Sequence, residues 1–343
     1  MLFRSATPRL FADAKGAIAG LAKAGNSGAG TQETSETNQC HDITAYPELG
    51  IAAGACSGNG ILLDIRDPAH PKRITEVSDP NFAYWHSATF NNDGTTLLFT
   101  DEWGGGSAPR CRSTDRPEWG ANAIYSHANG KLTQASFFKL PAAQTEQENC
   151  VAHNGSLIPV PGRDLFVQSW YQGGISIMDF TDPRHPFEVG YFDRGPVDAA
   201  KAVQAGQWSS YWYNGLIYGS EIARGLDILE LKPNRHLSQN EIDAAKLVRF
   251  DQFNAQLQPR FVWPAAFVVA RAYLDQLVRN DGLRRNWAAP VSRSLAQAEQ
   301  MTGGARRAAL TALATQLDWD TTGAGDTERV RKLAAVVREL AAK

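Results

Sequence analysis

Three histidines open similar segments of this 343-residue chain: His41-Asp42-Ile43, His86-Ser87-Ala88 and His153-Asn154-Gly155, spaced by 45 and then 67 residues. Neutral imidazole is a common ligand for transition-metal ions, and a carboxylate adds compensating charge. A second echo ends in polar or acidic residues and enters Gly-containing turns. Its copies are Thr100-Asp101-Glu102-Trp103-Gly104, Ser169-Trp170-Tyr171-Gln172-Gly173-Gly174 and Ser220-Glu221-Ile222-Ala223-Arg224-Gly225. If these loops converge, His41, His86, His153 and Glu221 form a ligand set for one divalent transition-metal ion, with Glu102 as a candidate acid or base. An open position on such an ion could polarise a substrate or activate water. Such a metal-dependent oxidoreductase or hydrolase is the alternative. The leading expectation is an exported or cell-surface binding or scaffold protein with its ligand site at the channel mouth, which uses the same loops differently. Asp101, Trp103, Trp170, Tyr171 and Arg224 could hold a small-molecule, glycan or protein ligand by stacking and hydrogen bonding.

Against both stands a plain alternative, in which each histidine bonds the backbone of a neighbouring repeat and the aromatics are core. The fourth unit, Trp208-Ser209-Ser210-Tyr211, has no histidine at all. Other chemistries lack their motifs: there is no Gly-x-Ser-x-Gly, no His-Glu-x-x-His and no phosphate-binding loop.

The elements that must position these residues follow from an internal repeat. Ile61-Leu62-Leu63-Asp64-Ile65-Arg66-Asp67-Pro68-Ala69-His70-Pro71 recurs 115 residues later as Ser176-Ile177-Met178-Asp179-Phe180-Thr181-Asp182-Pro183-Arg184-His185-Pro186, with a partial copy at 226–231. Proline fixes φ, and the aspartate before it accepts turn N–H groups, so each Asp-Pro ends one strand and starts the next. His70 and His185 read as turn residues. Apolar runs Leu97-Leu98-Phe99, Leu165-Phe166-Val167 and Leu216-Ile217-Tyr218 precede the second echo. A unit of about 45 residues with four short strands has the period of a propeller blade. The echoes place blades at about 40–78, 85–140, 150–193 and 207–232, with an insertion at Gly104–Trp119. The expected fold is mainly β, a β-propeller-like repeat domain of about four blades at 39–235, followed by a small all-α helical bundle at 238–343.

The Asp-Pro-x-His-Pro turns after an apolar run and Asp resemble the LVIVD repeat, over about 190 of the 343 residues. That resemblance implies a β-propeller-like bacterial protein, often exported, and brings no reaction with it. The second unit departs from the pattern, because Ala123-Ile124-Tyr125-Ser126-His127 leads to no Asp-Pro turn.

Composition separates the two parts. Residues 1–234 hold 18 Lys/Arg against 25 Asp/Glu, and 235–343 hold 16 against 11. Basic residues form no block longer than pairs such as Arg284-Arg285, so nucleic acid is excluded as a partner on electrostatic grounds. No apolar run is long enough for a membrane span. Residues 1–38 lack the apolar content to offset ordering and read as a flexible segment without a clear signal peptide. Cys40, Cys56, Cys111 and Cys150 allow two disulfides in three connectivities, of which Cys40–Cys56 with Cys111–Cys150 is favoured; four buried free thiols are the alternative. Disulfides and the resemblance together place the protein outside the cytoplasm, in the periplasm, at the cell surface or beyond. After Ser238, a capping box with Glu241 and stripes such as Leu310, Leu313 and Leu317 read as helices.

Overall fold

The computed structural model describes residue 37 and residues 39–343, and of Arg285 the backbone alone. The expected flexible segment 1–38 lies, Thr37 apart, outside the described residues. Four antiparallel sheets follow one another along the chain, each with its strands in sequence order, the arrangement of a four-bladed propeller. Blade one holds β1 (Cys40–Tyr46), β2 (Ile51–Cys56), β3 (Asn59–Asp64) and β4 (Lys72–Val77). Blade two holds β5 (Trp85–Phe90), β6 (Thr96–Asp101), β7 (Asn122–Ala128) and β8 (Lys131–Phe138). Blade three holds β9 (Gly155–Ile158), β10 (Leu165–Ser169), β11 (Ile175–Asp179) and β12 (Phe187–Phe192). Blade four has three strands among the described residues, β13 (Gln207–Tyr213), β14 (Leu216–Glu221) and β15 (Gly225–Leu229).

The repeat explains this regularity. Asp67 and Asp182 cap equivalent turns, accepting from the amides of Ala69 (3.1 Å) and Arg184 (3.0 Å) and from the rings of His70 and His185, both at 2.9 Å. His70 and His185 therefore hold turns. Between the blades, alternate strand residues bury a large aromatic core, with Tyr46, Phe82, Trp85, Phe90, Phe99 and Tyr125 packed together around Leu62. Gly60 is required there, since a Cβ would stand 2.6 Å from the Phe99 ring.

Both disulfides take the favoured pairing, Cys40–Cys56 across β1 and β2 and Cys111–Cys150 across the insertion of blade two. The first cross-links two paired strand ends, and the second ties down a segment outside the named strands.

The chain separates into two compact units, and the division is not a single cut. Gln252–Arg260 belongs with the blades, whereas Ile158–Arg163 and Glu230–Asp251 belong with the helical unit. The 252–260 segment runs beside β1. Ala45 donates to Gln256 O and accepts from Gln258 N, each at 2.9 Å, and the Gln258 side chain bonds both the amide and the carbonyl of Phe90. A glutamine there supplies bonds that an edge strand otherwise leaves unmade.

In the helical unit, α1 (Gln239–Ala245) starts at the Ser238/Glu241 capping box. It is followed by α2 (Phe267–Arg279), α3 (Arg285–Gln300), α4 (Gly303–Asp320) and α5 (Thr327–Ala342). The last begins at Asp326, whose side chain accepts from Arg329 N. Leu274, Leu277, Leu310, Leu317, Leu333 and Val337 close its core. Among the described residues no helix is long and apolar enough to cross a membrane.

Candidate metal centre

The three histidines stand at equivalent places, His41 second in β1, His86 second in β5 and His153 two residues before β9. The pairing of these inner strands is irregular at that same place. Register shifts fall between Cys40 and Asp42, between Trp85 and Ala88, and between Gln207 and Ser209, so His41, His86 and Trp208 are bulge residues of three different blades. A bulge breaks the two-residue alternation and re-aims a side chain. The result is a row of imidazoles, with ring centroids 3.9 Å apart for His41 and His86 and 4.2 Å for His86 and His153.

Glu102 completes the row. It follows the last residue of β6, and its amide donates to Tyr84 O at 2.9 Å. One carboxylate oxygen lies 3.5 Å from His86 Nε2 and the other 3.3 Å from His153 Nε2. A tetrahedral ion with bonds of ~2.1 Å has ligand atoms ~3.4 Å apart. Each imidazole–carboxylate separation is close to that edge, the two being made to different oxygens of Glu102. His86, Glu102 and His153 are all buried, and their ligand atoms lie within 4.8 Å of one another. A second set, His41, Asp42 and His86, meets the same limit and shares His86.

Tyr171 fixes Glu102 from blade three by donating its hydroxyl to Oε1. The Tyr171 backbone is in the left-handed region at φ 52°, unusual for a residue with a side chain. It is held there by paired hydrogen bonds with Gln207 of 3.1 and 2.8 Å, and the neighbouring Gly206 has no room for a Cβ against the Tyr171 carbonyl carbon.

The hydrogen bonds also decide which nitrogens can ligate. His153 Nδ1 faces the carbonyl oxygen of Trp208, which can only accept, so Nδ1 carries the proton. In the neutral ring this leaves the Nε2 lone pair aimed at Glu102. His86 Nδ1 is buried and has no hydrogen-bond partner. Burial holds the His86 ring far below its ordinary pKa, at about 3, despite the pull of Glu102. Burial acts to raise Glu102, but the facing His86 and His153 and the Tyr171 hydroxyl outweigh it and hold the carboxyl well below its usual range. The site thus sets a carboxylate anion against two imidazoles, of which His86 is held neutral, with no Lys or Arg in contact among the described residues.

Other residues singled out in the sequence have different surroundings. Asp101 is fully buried and accepts from the amides of Ala83, Tyr84 and Gly120. Glu221 plays the matching part in blade four, accepting from Gly206 N at 2.8 Å, and it belongs to neither candidate ligand set. Trp103 and Trp170 are buried in the core, Trp103 against Trp119 at 4.8 Å, so neither offers a face to a ligand in solution. Tyr171 is likewise buried and spends its hydroxyl on Glu102. Arg224 is exposed, 3.9 Å from Glu221.

Asp42 was not singled out. It accepts from the His41 ring at 3.3 Å and from the Gln256 amide at 2.9 Å. Its place directly after the first histidine of the row was the available sign.

Compared with protein families and with curated proteins, the chain matches none. Solved structures that resemble it include a computationally designed protein, at 6% identity over 58% of this chain and 96% of that one, with a TM-score of 0.36. A periplasmic gluconolactonase of Pseudomonas aeruginosa aligns at 12% identity over 58% of this chain and 55% of its own, with a TM-score of 0.40. A protein from Lactobacillus plantarum aligns at 11% identity over 56% and 54%, with a TM-score of 0.40. This chain spans little more than half the length of those two natural proteins. Nothing about its chemistry follows from them.

Proposed function

We propose that the blades form a propeller scaffold whose inner strands bind one divalent transition-metal ion through His86 Nε2, His153 Nε2 and a Glu102 oxygen. The observation that carries this reading is the unbalanced contact at His153. Its Nδ1–H is committed to the Trp208 carbonyl, so its Nε2 lone pair faces a carboxylate oxygen 3.3 Å away. Two electron-rich atoms at that distance call for a cation between them, a metal ion or a ring proton, and the convergence of a third buried donor, His86, with its ligand atom within 4.8 Å of both favours the ion. The unpartnered His86 Nδ1 adds a second unmet polar group beside it.

Three protein ligands leave a coordination position open, as in catalytic rather than structural sites. When bound, an ion there would supply Lewis acidity or a lowered pKa for bound water. The chain's own groups hold and orient the donors: Tyr171 locks Glu102, and Trp208 fixes the His153 tautomer. This supports a metal-dependent enzyme, an oxidoreductase or hydrolase, over a binding module that recognises ligands by stacking, because Trp103, Trp170 and Tyr171 are buried. We assign the repeat to the LVIVD type on its paired Asp-Pro-x-His-Pro turns, and the protein to a bacterial periplasm or exterior. Two disulfides and the lack of a membrane-crossing helix among the described residues are consistent with that compartment.

The test is elemental mass spectrometry on protein purified without a metal-affinity tag. About one equivalent of a transition metal is expected in the wild type, with loss of most of it in His86→Ala and Glu102→Gln at unchanged circular dichroism. Metal-free wild type after exposure to zinc, manganese, copper and iron salts would overturn the reading.

A further inference from the structure

Immediately along the inner strands from the histidine row lies a cavity of about 190 Å³. Its walls come from all four blades: Asp42 in β1, Thr89 in β5, Asn154 leading into β9 and Tyr211 in β13. Asn254 and Gln256 of the segment beside β1 add a further wall. Because Asp42 and Asn154 directly follow His41 and His153, the cavity begins one residue from the candidate centre.

We infer that this cavity binds a neutral, polyhydroxylated molecule of monosaccharide size. The inference rests on the metal-centre reading only for the ligand's position beside an ion, since the walls themselves define what can bind. Size comes first: 190 Å³ equals the liquid volume of about six waters at ~30 Å³ each, well below drug-sized sites. Charge comes second. No Lys, Arg or His lines the space, which disfavours phosphates and carboxylates, and its single carboxylate, Asp42, is already met by the His41 ring and the Gln256 amide. A cation therefore finds little uncompensated charge.

Hydrogen-bonding capacity decides the rest. Thr89 and Asn154 make no side-chain hydrogen bond among the described residues. Asn254 uses only its Oδ1, accepting from Gln256 N at 3.0 Å. A hydroxyl both donates and accepts, so a ligand carrying several in sequence satisfies an amide–hydroxyl–amide wall that an apolar molecule would leave unpaired. The apolar part of the lining is small, coming from Ala88, Gly155, Ala255 and the aromatic Tyr211.

The experiment is ligand-observed NMR on the full chain, before and after EDTA treatment, with D-glucose, D-ribose and myo-inositol, and with putrescine and acetate as charged probes. Saturable binding of at least one neutral polyol is expected, weakened at least tenfold in Asn154→Leu and in Thr89→Val. The second, nearly isosteric variant keeps the test valid if the first fails to fold. Absence of polyol binding in both metal states, binding that both variants leave unchanged, or binding of putrescine or acetate alone would each overturn the inference. Polyol binding by a protein that takes up no metal sustains this inference while the metal reading fails, so the two are separable.

Discussion

Two buried glutamates, one in each unit, are satisfied in opposite ways. Glu241, at the start of α1, has a fully buried side chain that meets permanent cations: Arg163 at 2.9 Å and Arg279 at 2.6 and 2.9 Å, with the Ser238 amide at 2.7 Å. Glu102, among the blades, meets two imidazoles and a phenol. A guanidinium cannot leave or lose its charge, whereas an imidazole offers a lone pair to whatever cation arrives. The first arrangement builds a helix terminus; the second builds a vacancy of charge. The difference teaches that burial of a carboxylate says little until its partners are named.

The largest break in this comparison comes from Glu241→Ala. It removes the buried carboxylate that Arg163, whose side chain is 5% exposed, and Arg279 share, and should cost on the order of 3–5 kcal/mol in urea unfolding. Metal content should not change. A cost below ~1 kcal/mol would mean that the arginines find water and that the ion pair is peripheral.

Reduction of Cys111–Cys150 comes next. The pair closes a sequence separation of 39, for which loop entropy gives about 4 kcal/mol. Hydrogen exchange in dithiothreitol should rise across 104–150 and stay unchanged across α4 and α5. Equal rises in both units would show that the units share one unfolding transition.

A sharper test uses Glu102→Gln. With a metal at a hundredfold excess over its Kd, the wild type should gain about 2.7 kcal/mol and the variant nothing. In EDTA the order should reverse or vanish, because the amide removes the contact between lone pair and carboxylate. If Glu102→Gln destabilises the EDTA-treated protein by 2 kcal/mol or more, an order expected for loss of a buried ion pair, then Glu102 is a structural anion like Glu241.

Much of this was legible in the sequence, and the reason is repetition. The runs ending in Asp64 and Asp179 placed β3 and β11, and the His echoes placed three inner strands and the row itself. What failed to show was which acid joins the row. In the second echo Thr100, Ser169 and Ser220 align, so Asp101 aligns with Glu221, and Glu102 aligns with Tyr171. The structure pairs them accordingly. Asp101 and Glu221 both accept backbone amides at the start of their blade's inner strand, while Glu102 and Tyr171 touch each other. A shift of one residue separates a turn-holding acid from a candidate ligand, and residue type alone cannot make that choice. Nor did the sequence mark 252–260 as part of the blades, because Gln256 and Gln258 attach through backbone and amide bonds that leave no hydrophobic period to read.

Lys139 gives the smallest effect and the converse case, a cation held by carbonyls, with Asp101, Asp115 and Glu118 near enough to act on its charge but paired with none of them. Its ammonium donates to the carbonyls of Arg116 (3.0 Å) and Trp119 (2.6 Å), and burial pulls its pKa down to about 8. In the unfolded chain a lysine titrates near ~10.4. Between those values the unfolded state binds more protons than the folded one, so this residue's contribution to stability rises with pH from about 8 to ~10.4. After allowance for solvent screening of a half-buried group, the rise should be on the order of 1 kcal/mol. Other groups titrate in the same range, so the measurement is the difference between wild type and Lys139→Met in urea unfolding at pH 7.5, 9 and 10. The gap should move in favour of the wild type as pH rises. A gap that stays constant would mean that the two carbonyls and the nearby carboxylates compensate the ammonium as fully as the arginines compensate Glu241, and that hydrogen bonds without a direct ion pair suffice to hold a half-buried charge in this fold.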